Sequence, residues 1–276
     1  MNFLGKEYSP MKKFWTLIFV ALCSFGVMTI ASVVFVLLFQ KGGNLSENVT
    51  ATIILQALST IFSFGLPMLI FHLYFGNKQE IIDTFNRKSH WLGFLLAVAL
   101  IFMSNFLVSI FSTQNTDDII QQWISKADFG GYILILFVVA VLPAIFEEWF
   151  FRAGVQKLLI QATKNAWIGI VLASMLFSLV HFDMSNFIAR TILGFVLGII
   201  YHYSNNIWTN ILAHFLNNAT VVTILYLGLE ESLQSDSAIN ASSIIMAIVS
   251  ALCIGAYIVF YERKNKSKEK ITEPKE

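Results

Sequence analysis

Hydrophobic residues in this chain come in long runs that short polar segments separate. Eight runs can be counted, at 14–39, 51–75, 91–111, 132–151, 167–182, 187–203, 207–227 and 242–261. Each is near the ~20 residues that an α-helix needs to cross the hydrocarbon core of a bilayer. The alternating pattern of a membrane β-barrel is absent, so we predict an all-α, polytopic membrane bundle of about eight transmembrane helices. The runs 167–182 and 187–203 are the shortest, and their ends are the hardest to define.

The composition supports a membrane protein. Of 276 residues, 57% are hydrophobic and only 13% are charged, whereas soluble domains contain about 25% charged residues. The net charge is +1 and no basic patch precedes the tail, so nucleic acid is not an expected partner. Cys23 and Cys253 fall inside apolar runs, which indicates neither a disulfide framework nor a metal site. The first run exceeds the ~7–15 apolar residues of a signal peptide and lacks an A-x-A-like cleavage site, so we predict a retained helix.

The basic residues predict the orientation. With eight spans both ends lie on one side, and that side carries fifteen lysines and arginines, against Lys41 and Lys126 on the other. Because positive residues favour the cytoplasmic side, both termini are predicted to be cytoplasmic. The polar, basic tail 262–276 is predicted to be disordered. Short loops and the lack of an organelle signal favour the plasma membrane.

Ionisable and amide side chains are concentrated in the later spans. These hold Glu147, Glu148, Arg152, His181, Arg190, His202, His214, Asn217 and Asn218, whereas the first three spans hold only His72, near an end. A charge at the centre of a span costs about 2.5–3.5 kcal/mol by insertion scales, so such residues usually mark a functional site. The sequence therefore predicts that the chemistry lies in the second half of the chain.

The first polar cluster is the stretch FEEWFFR, residues 146–152. Glu148 and Arg152 are four positions apart in the order that favours an ion pair on a helix. Glu147 is rotated by ~100° and has no partner in its own helix. We therefore expect Glu148 and Arg152 to support the site structurally and Glu147 to be free for chemistry. Pro143 removes a backbone hydrogen bond to position 139 and is expected to kink the span. The alternative is an ion pair at a helix end, with the arginine extending to the interface.

Two further clusters have the same spacing of four. Phe177 and His181 share a helix face in FSLVHF, and His214 and Asn218 share one in HFLNN. A lone histidine is more often a packing residue than a catalyst, but a histidine and an amide that face one interior together indicate function.

The three clusters jointly contain the groups that peptide hydrolysis needs. A nucleophilic water requires a base, and the tetrahedral intermediate requires hydrogen-bond donors for its oxyanion. Glu147, His181, His214 and Asn218 supply that set. Two histidines and a carboxylate are also a ligand set for a divalent metal such as zinc, with an open position. The H-E-x-x-H spacing of zinc peptidases is absent, so both alternatives stay open.

The ordered clusters resemble the motifs of the intramembrane glutamate proteases. That family includes the type II CAAX prenyl endopeptidases and the bacterial CPBP or Abi proteins. Glu147-Glu148-x-x-x-Arg152, Phe177-x-x-x-His181 and His214-x-x-x-Asn218 occur complete and in order within residues 132–227. The resemblance implies a helix bundle around an aqueous cavity, in which Glu147 activates water together with His181. It also implies that His214 and Asn218 stabilise the oxyanion, and it leaves the requirement for a metal open.

This resemblance divides the chain into four parts. They are 1–131, N-terminal transmembrane helices without a recognised motif; 132–227, a CAAX-protease-like catalytic core; 228–261, the last transmembrane helix; and 262–276, the cytoplasmic tail. The expected function is an integral-membrane endopeptidase for a membrane-associated peptide or protein. A prenylated CAAX peptide and a bacteriocin leader are both candidate substrates, and we favour one that is not prenylated.

Other functions remain possible on the sequence alone. A non-catalytic membrane immunity or scaffold protein would keep the bundle and act by binding, but the intact polar set argues against lost catalysis. A transporter with a carboxylate proton relay is a third hypothesis, although the chain has no inverted repeat. A rhomboid-type Gly-x-Ser-Gly nucleophile is absent, and Asp183 is the only candidate for an intramembrane aspartyl dyad.

The depths of the two histidines present a difficulty. If the span 167–182 runs outward, His181 lies ~21 Å from its inner end, whereas His214 lies only ~10 Å from the inner end of its span. Their convergence requires tilted helices, a deep start of the fifth span, or shifted helix ends. Gly194 and Gly198 lie between the two histidines in the sequence. They form a small-xxx-small face that favours close helix contact.

Overall fold

The described part of the chain is helical. A computed structural model describes residues 7–40, 49–76, 118–229 and 241–272, together with single positions and short pieces between 82 and 110. Every regular element in these ranges is a helix. The predicted fold class, a helical membrane bundle, is confirmed.

The helices fall where the apolar runs predict them. They are α1 (Pro10–Gln40), α2 (Val49–Tyr74), α3 (Asp118–Ile124), α4 (Phe129–Thr163), α5 (Ala166–Leu179), α6 (Phe187–Ser204), α7 (Ile207–Tyr226) and α8 (Ala241–Thr272). Seven of the eight predicted spans coincide with one of these helices. About half of the remaining predicted span, 91–111, lies outside the described residues.

Four of these helices are long and apolar enough to cross a membrane. They comprise Pro10–Leu37 of α1, all of α2, all of α4 and all of α6. Shorter apolar helices occupy Ala166–Leu179 and Ile244–Phe260. The chain is therefore a multi-pass membrane protein, in which α5, at 14 residues, is shorter than a full crossing.

Helix α4 is longer than its apolar run predicts. The run was bounded at 132–151, but the helix continues to Thr163 and contains 35 residues. The predicted run ended at residue 151 because Arg152 follows it. Arg152 is paired with Glu148 inside the bundle, so its charge does not end the helix. Two π-helical turns interrupt its α-helical geometry, at Phe137–Val141 and at Trp149–Gln156.

Pro143 lies two residues after the end of the first π-helical turn. Proline has no N–H and clashes with the carbonyl four residues earlier, and a widened turn relieves both effects. The predicted disturbance of the helix near Pro143 therefore takes the form of a π-helical turn, and the helix continues through it.

A tight turn folds α5 back along α4. Lys164 adopts the left-handed conformation with φ 54°, and the Asn165 side chain caps α5 by accepting a hydrogen bond from the backbone N–H of Ile168. Glu147 and His181 each lie 17 positions from Lys164. An antiparallel hairpin brings equidistant positions together, so the turn at Lys164 brings His181 to the level of Glu147.

Helix α5 packs closely against α4 and against α6 at glycine residues. A Cβ atom built on Gly169 would lie 2.7 Å from the backbone nitrogen of Ile160, so α4 and α5 touch at this point. Gly194 packs against Phe177, and Gly198 packs against Ile170. The predicted small-residue face of α6 thus contacts α5.

The last helix extends into the tail. We predicted disorder for 262–276, but α8 continues through Thr272. The tail is rich in lysine and glutamate, which have high helix propensity. Residues 273–276 lie outside the described part.

Candidate active site

A fully buried ion pair forms the base of the polar cluster. Arg152 Nε donates to Glu148 Oε2 at 2.9 Å, and both side chains have 0% exposure. The guanidinium also lies over the Phe177 ring, with Cζ 5.1 Å from the ring centroid. The predicted pairing is confirmed, and the alternative in which the arginine extends to the membrane interface is wrong.

Two side chains of α7 also form hydrogen bonds with the Glu148 carboxylate. Asn210 Nδ2 donates to Oε2 at 3.2 Å, and His214 Nδ1 lies 3.0 Å from Oε1. The motif spacing predicted His214 as a site residue. It did not predict the contact of His214 with Glu148, or that Asn210 belongs to the site. The signal was present, because Asn210, His214 and Asn218 recur every four residues on one face of α7.

Glu147 lies beside this network with a free oxygen. Its Oε2 is buried and has no hydrogen-bond partner among the described residues. His181 Nε2 lies 3.9 Å from this oxygen, and His214 Nε2 lies 4.0 Å from it. The three predicted residues therefore converge on one carboxylate oxygen, at distances too long for direct hydrogen bonds.

His181 occupies the turn that follows α5. Its Nδ1 lies 2.7 Å from the carbonyl oxygen of Phe177, which can only accept, so Nδ1 carries the proton. The Nε2 atom faces Glu147, and it has a free electron pair when the ring is neutral. The side chain is 30% exposed, so the site is accessible on this side.

Hydrogen bonds to Asp183 stabilise the turn that contains His181. Arg190 Nη2 donates to Asp183 Oδ2 at 3.1 Å, and Asn186 Nδ2 donates to the same oxygen at 2.8 Å. Burial alone would raise the pKa of Asp183, but the hydrogen bonds from Asn186 and Arg190 outweigh it and lower the pKa below its usual value. Asp183 is therefore an ionised partner of Arg190.

Asn218 contacts the π-helical turn of α4. Its Nδ2 donates to the Val139 carbonyl at 3.3 Å, and its Oδ1 accepts from Asn217 Nδ2. Val139 lies four residues before Pro143, so its carbonyl has lost the helical donor that proline lacks. Among the described residues no hydrogen bond or ion pair joins Asn218 to Glu147, His181 or His214, and its second amide N–H remains available.

The distances between these side chains also bear on the predicted zinc alternative. Donors that share a tetrahedral zinc ion at ~2.0–2.1 Å lie about 3.3 Å apart, whereas both histidine nitrogens lie farther than this from Glu147 Oε2. No group of three histidine, cysteine or acidic side chains in the described part of the chain is arranged to hold a metal ion. This arrangement gives the zinc alternative no support.

The geometry defines a class of protein, a helical membrane bundle with a buried carboxylate and two histidines. Residues 129–220 match the family described as Type II CAAX prenyl endopeptidase Rce1-like, which agrees with the segment 132–227 that carries the motifs. The predicted resemblance to this protease family is confirmed over the matched residues.

Two curated proteins of Bacillus subtilis (strain 168) are similar to this chain. "Putative membrane peptidase YdiL" is 24% identical over 228 residues, which cover 76% of this chain and 88% of the relative. "Uncharacterized protein YpbD" is 24% identical over 166 residues, which cover 59% and 82%. No solved structure matches. The family and the first relative support a membrane protease at the level of the family.

Proposed function

We propose that this protein is an intramembrane endopeptidase that hydrolyses a peptide bond of a membrane-associated peptide or protein through a water activated by Glu147. The observation that carries the proposal is the free oxygen of Glu147, buried and approached by the Nε2 atoms of His181 and His214. A buried carboxylate oxygen without a partner is costly, so its retention favours a function.

The spacing of Glu147 and His181 suits a bridging water. Their facing atoms are 3.9 Å apart, and both are acceptors when Glu147 is ionised and His181 is neutral. A water about 2.8 Å from both atoms would donate one hydrogen bond to Glu147 and one to His181. Its oxygen electron pair would then point away from both groups, towards a carbonyl carbon.

The reaction follows from this geometry. The water oxygen attacks the peptide carbonyl carbon, and Glu147 takes the proton, so the carbonyl oxygen becomes an oxyanion. Collapse of the intermediate breaks the C–N bond, and the protonated Glu147 returns its proton to the leaving amine. The products are a new carboxyl terminus and a new amino terminus, and the carboxylate is regenerated.

His214 and Asn218 are proposed to stabilise the oxyanion. His214 Nε2 lies 4.0 Å from Glu147 Oε2, the oxygen proposed to activate the water. Asn218 retains one amide N–H after its bond to Val139. Donors already fixed in a low-dielectric site stabilise developing charge without reorganisation.

The cellular setting is also a proposal. We propose a plasma-membrane protein with both termini in the cytoplasm, which the distribution of lysine and arginine supports. The substrate lies in or on the bilayer. A bacteriocin leader and a prenylated CAAX peptide are separate candidates within this class.

The decisive experiment is cleavage by purified protein in lipid vesicles. Defined transmembrane peptides and CAAX peptides, with and without a prenyl group, are incubated with the protein, and mass spectrometry identifies any new termini. Cleavage by the parent but not by Glu147→Gln supports the proposal. If no peptide is cut while the protein binds one of them, the immunity or scaffold hypothesis replaces it. A parallel reaction with a chelator tests the zinc alternative.

A further inference from the structure

Glu148 is surrounded by three donors and is held as a carboxylate. Arg152 Nε and Asn210 Nδ2 both donate to Oε2, at 2.9 and 3.2 Å, and the Nδ1 atom of His214 lies 3.0 Å from Oε1. The fully buried guanidinium of Arg152 keeps its partner Glu148 ionised, and an ionised carboxylate can only accept hydrogen bonds. It follows that Nδ1 of His214 carries a proton.

The charge of the cluster then depends on the other nitrogen of His214. In the described part of the chain, the charged or titratable groups that face this ring are Glu147, Glu148 and Arg152 from α4, and His181 from the turn after α5. Arg190 of α6 is already paired with Asp183.

With both glutamates ionised and His181 neutral, Arg152 balances only one negative charge. Glu147, Glu148, Arg152 and His214 are each less than 10% exposed. An unbalanced charge is expensive at such burial. A second proton on His214, at Nε2, makes the cluster neutral.

We infer that Glu148 holds His214 as an imidazolium whose Nε2–H points to the reacting centre, and that Asn210 is a positioning residue that fixes Glu148 for this task. The inference rests on the proposed hydrolysis for its catalytic meaning. A charged donor forms a shorter and stronger hydrogen bond to an oxyanion than a neutral one. Glu148 is thus more than a structural partner of Arg152.

The chain contains a matched control for Asn210. Asn210 Nδ2 also donates to the carbonyl of Leu197 on α6, at 2.7 Å. Gln156 Nε2 donates to the next carbonyl of the same helix, that of Gly198, at 2.9 Å. Both are buried amides that join helices, but only the Asn210 amide also bonds to Glu148. Replacing either removes a similar packing contact.

The protonation of His214 can be read directly. The full-length protein is labelled with ¹⁵N-histidine in lipid nanodiscs, and His214→Ala assigns its signals among the five histidines. At pH 7 we expect two protonated nitrogens in the parent and one in Glu148→Gln. A bare nitrogen in the parent would overturn the inference. This readout does not depend on turnover, so it separates failure of the inference from failure of the proposed function.

The Asn210 role is tested by comparing two variants. In Asn210→Ala, we expect the imidazolium signal to disappear at lower pH than in the parent, because Glu148 is less well held. The same variant should lower kcat about tenfold, the rate equivalent of one hydrogen bond to a charged group. Gln156→Ala should leave the titration and kcat unchanged. Equal effects of the two variants would show that Asn210 only packs helices, and would overturn its positioning role.

Discussion

Two adjacent glutamates have different environments because a helix rotates successive side chains by ~100°. Glu148 faces Arg152, Asn210 and His214 and has its hydrogen-bonding capacity used on both oxygens. Glu147 faces the two histidine Nε2 atoms and keeps one oxygen free. The same side chain therefore serves as an anchor at one position and is proposed as a base at the other.

Glu147→Gln should abolish most of the activity without unfolding the protein. The amide keeps the shape but removes the basicity, and general base catalysis contributes about 10²–10⁴ in rate. Steady-state cleavage of a peptide should fall at least a hundredfold, with an unchanged melting temperature. His181→Ala should be similarly impaired.

The matched comparison for this prediction is Glu148→Gln. It should lower the melting temperature as well as the rate, because it removes one charge of a buried pair. If Glu147→Gln kept nearly full turnover while Glu148→Gln lost it, the proposed roles of the two glutamates would be reversed.

Arg152→Ala should destabilise the protein strongly. It leaves the Glu148 carboxylate buried without its main partner, and breaking a buried pair on one side costs roughly 3–5 kcal/mol. Thermal unfolding in detergent should show a clearly lower melting temperature. Arg190→Ala is the control, because its pair with Asp183 is partly exposed and such pairs contribute about 0–1 kcal/mol. Equal shifts for the two variants would contradict the burial argument.

At the scale of elements, the α4–α5 hairpin decides where His181 lies. The short α5 begins directly after the turn at Lys164 and ends two residues before His181. The convergence of His181 with Glu147 follows from the extension of α4 to Thr163, which places the turn equally far from both residues. Any change that separates α4 from α5 should therefore act on the site at a distance.

Gly169→Ala is such a change. Its new Cβ would lie 2.7 Å from the backbone nitrogen of Ile160, so one helix must move. Overpacking typically costs about 1–3 kcal/mol, and displacement of His181 should reduce cleavage. Gly26→Ala is the matched control, because nothing lies within 4 Å of its Cβ and alanine is the better helix former. A stable, fully active Gly169→Ala protein would show that the hairpin tolerates separation.

At the scale of the whole molecule, the orientation of the bundle in the membrane is still a prediction. Fifteen basic residues lie on one predicted side and two on the other. Reporter fusions at Lys13 and Lys266 should both report the cytoplasm, and a fusion after Gly228 should report the opposite side. Opposite sides for the two ends would mean that the number of spans is odd, and would overturn the eight-span prediction.

Features that depend on short spacing along the chain could be predicted from the amino-acid sequence. Apolar runs predicted seven of the described helices, because burial in lipid requires long apolar segments whatever their partners. The pair of Glu148 and Arg152 followed from a separation of four on one helix. Motif order indicated the protease family before any contact was known.

The way in which the helices face one another became visible in the folded bundle and could not be predicted from spacing. That His214 turns Nδ1 to Glu148, that Asn210 joins it, and that Asn218 contacts Val139 all depend on the rotation of α7 against α4. This rotation is set by close packing of many side chains across the bundle, including the π-helical turns of α4. Spacing along one helix fixes which residues share a face, but it contains no information on what that face meets.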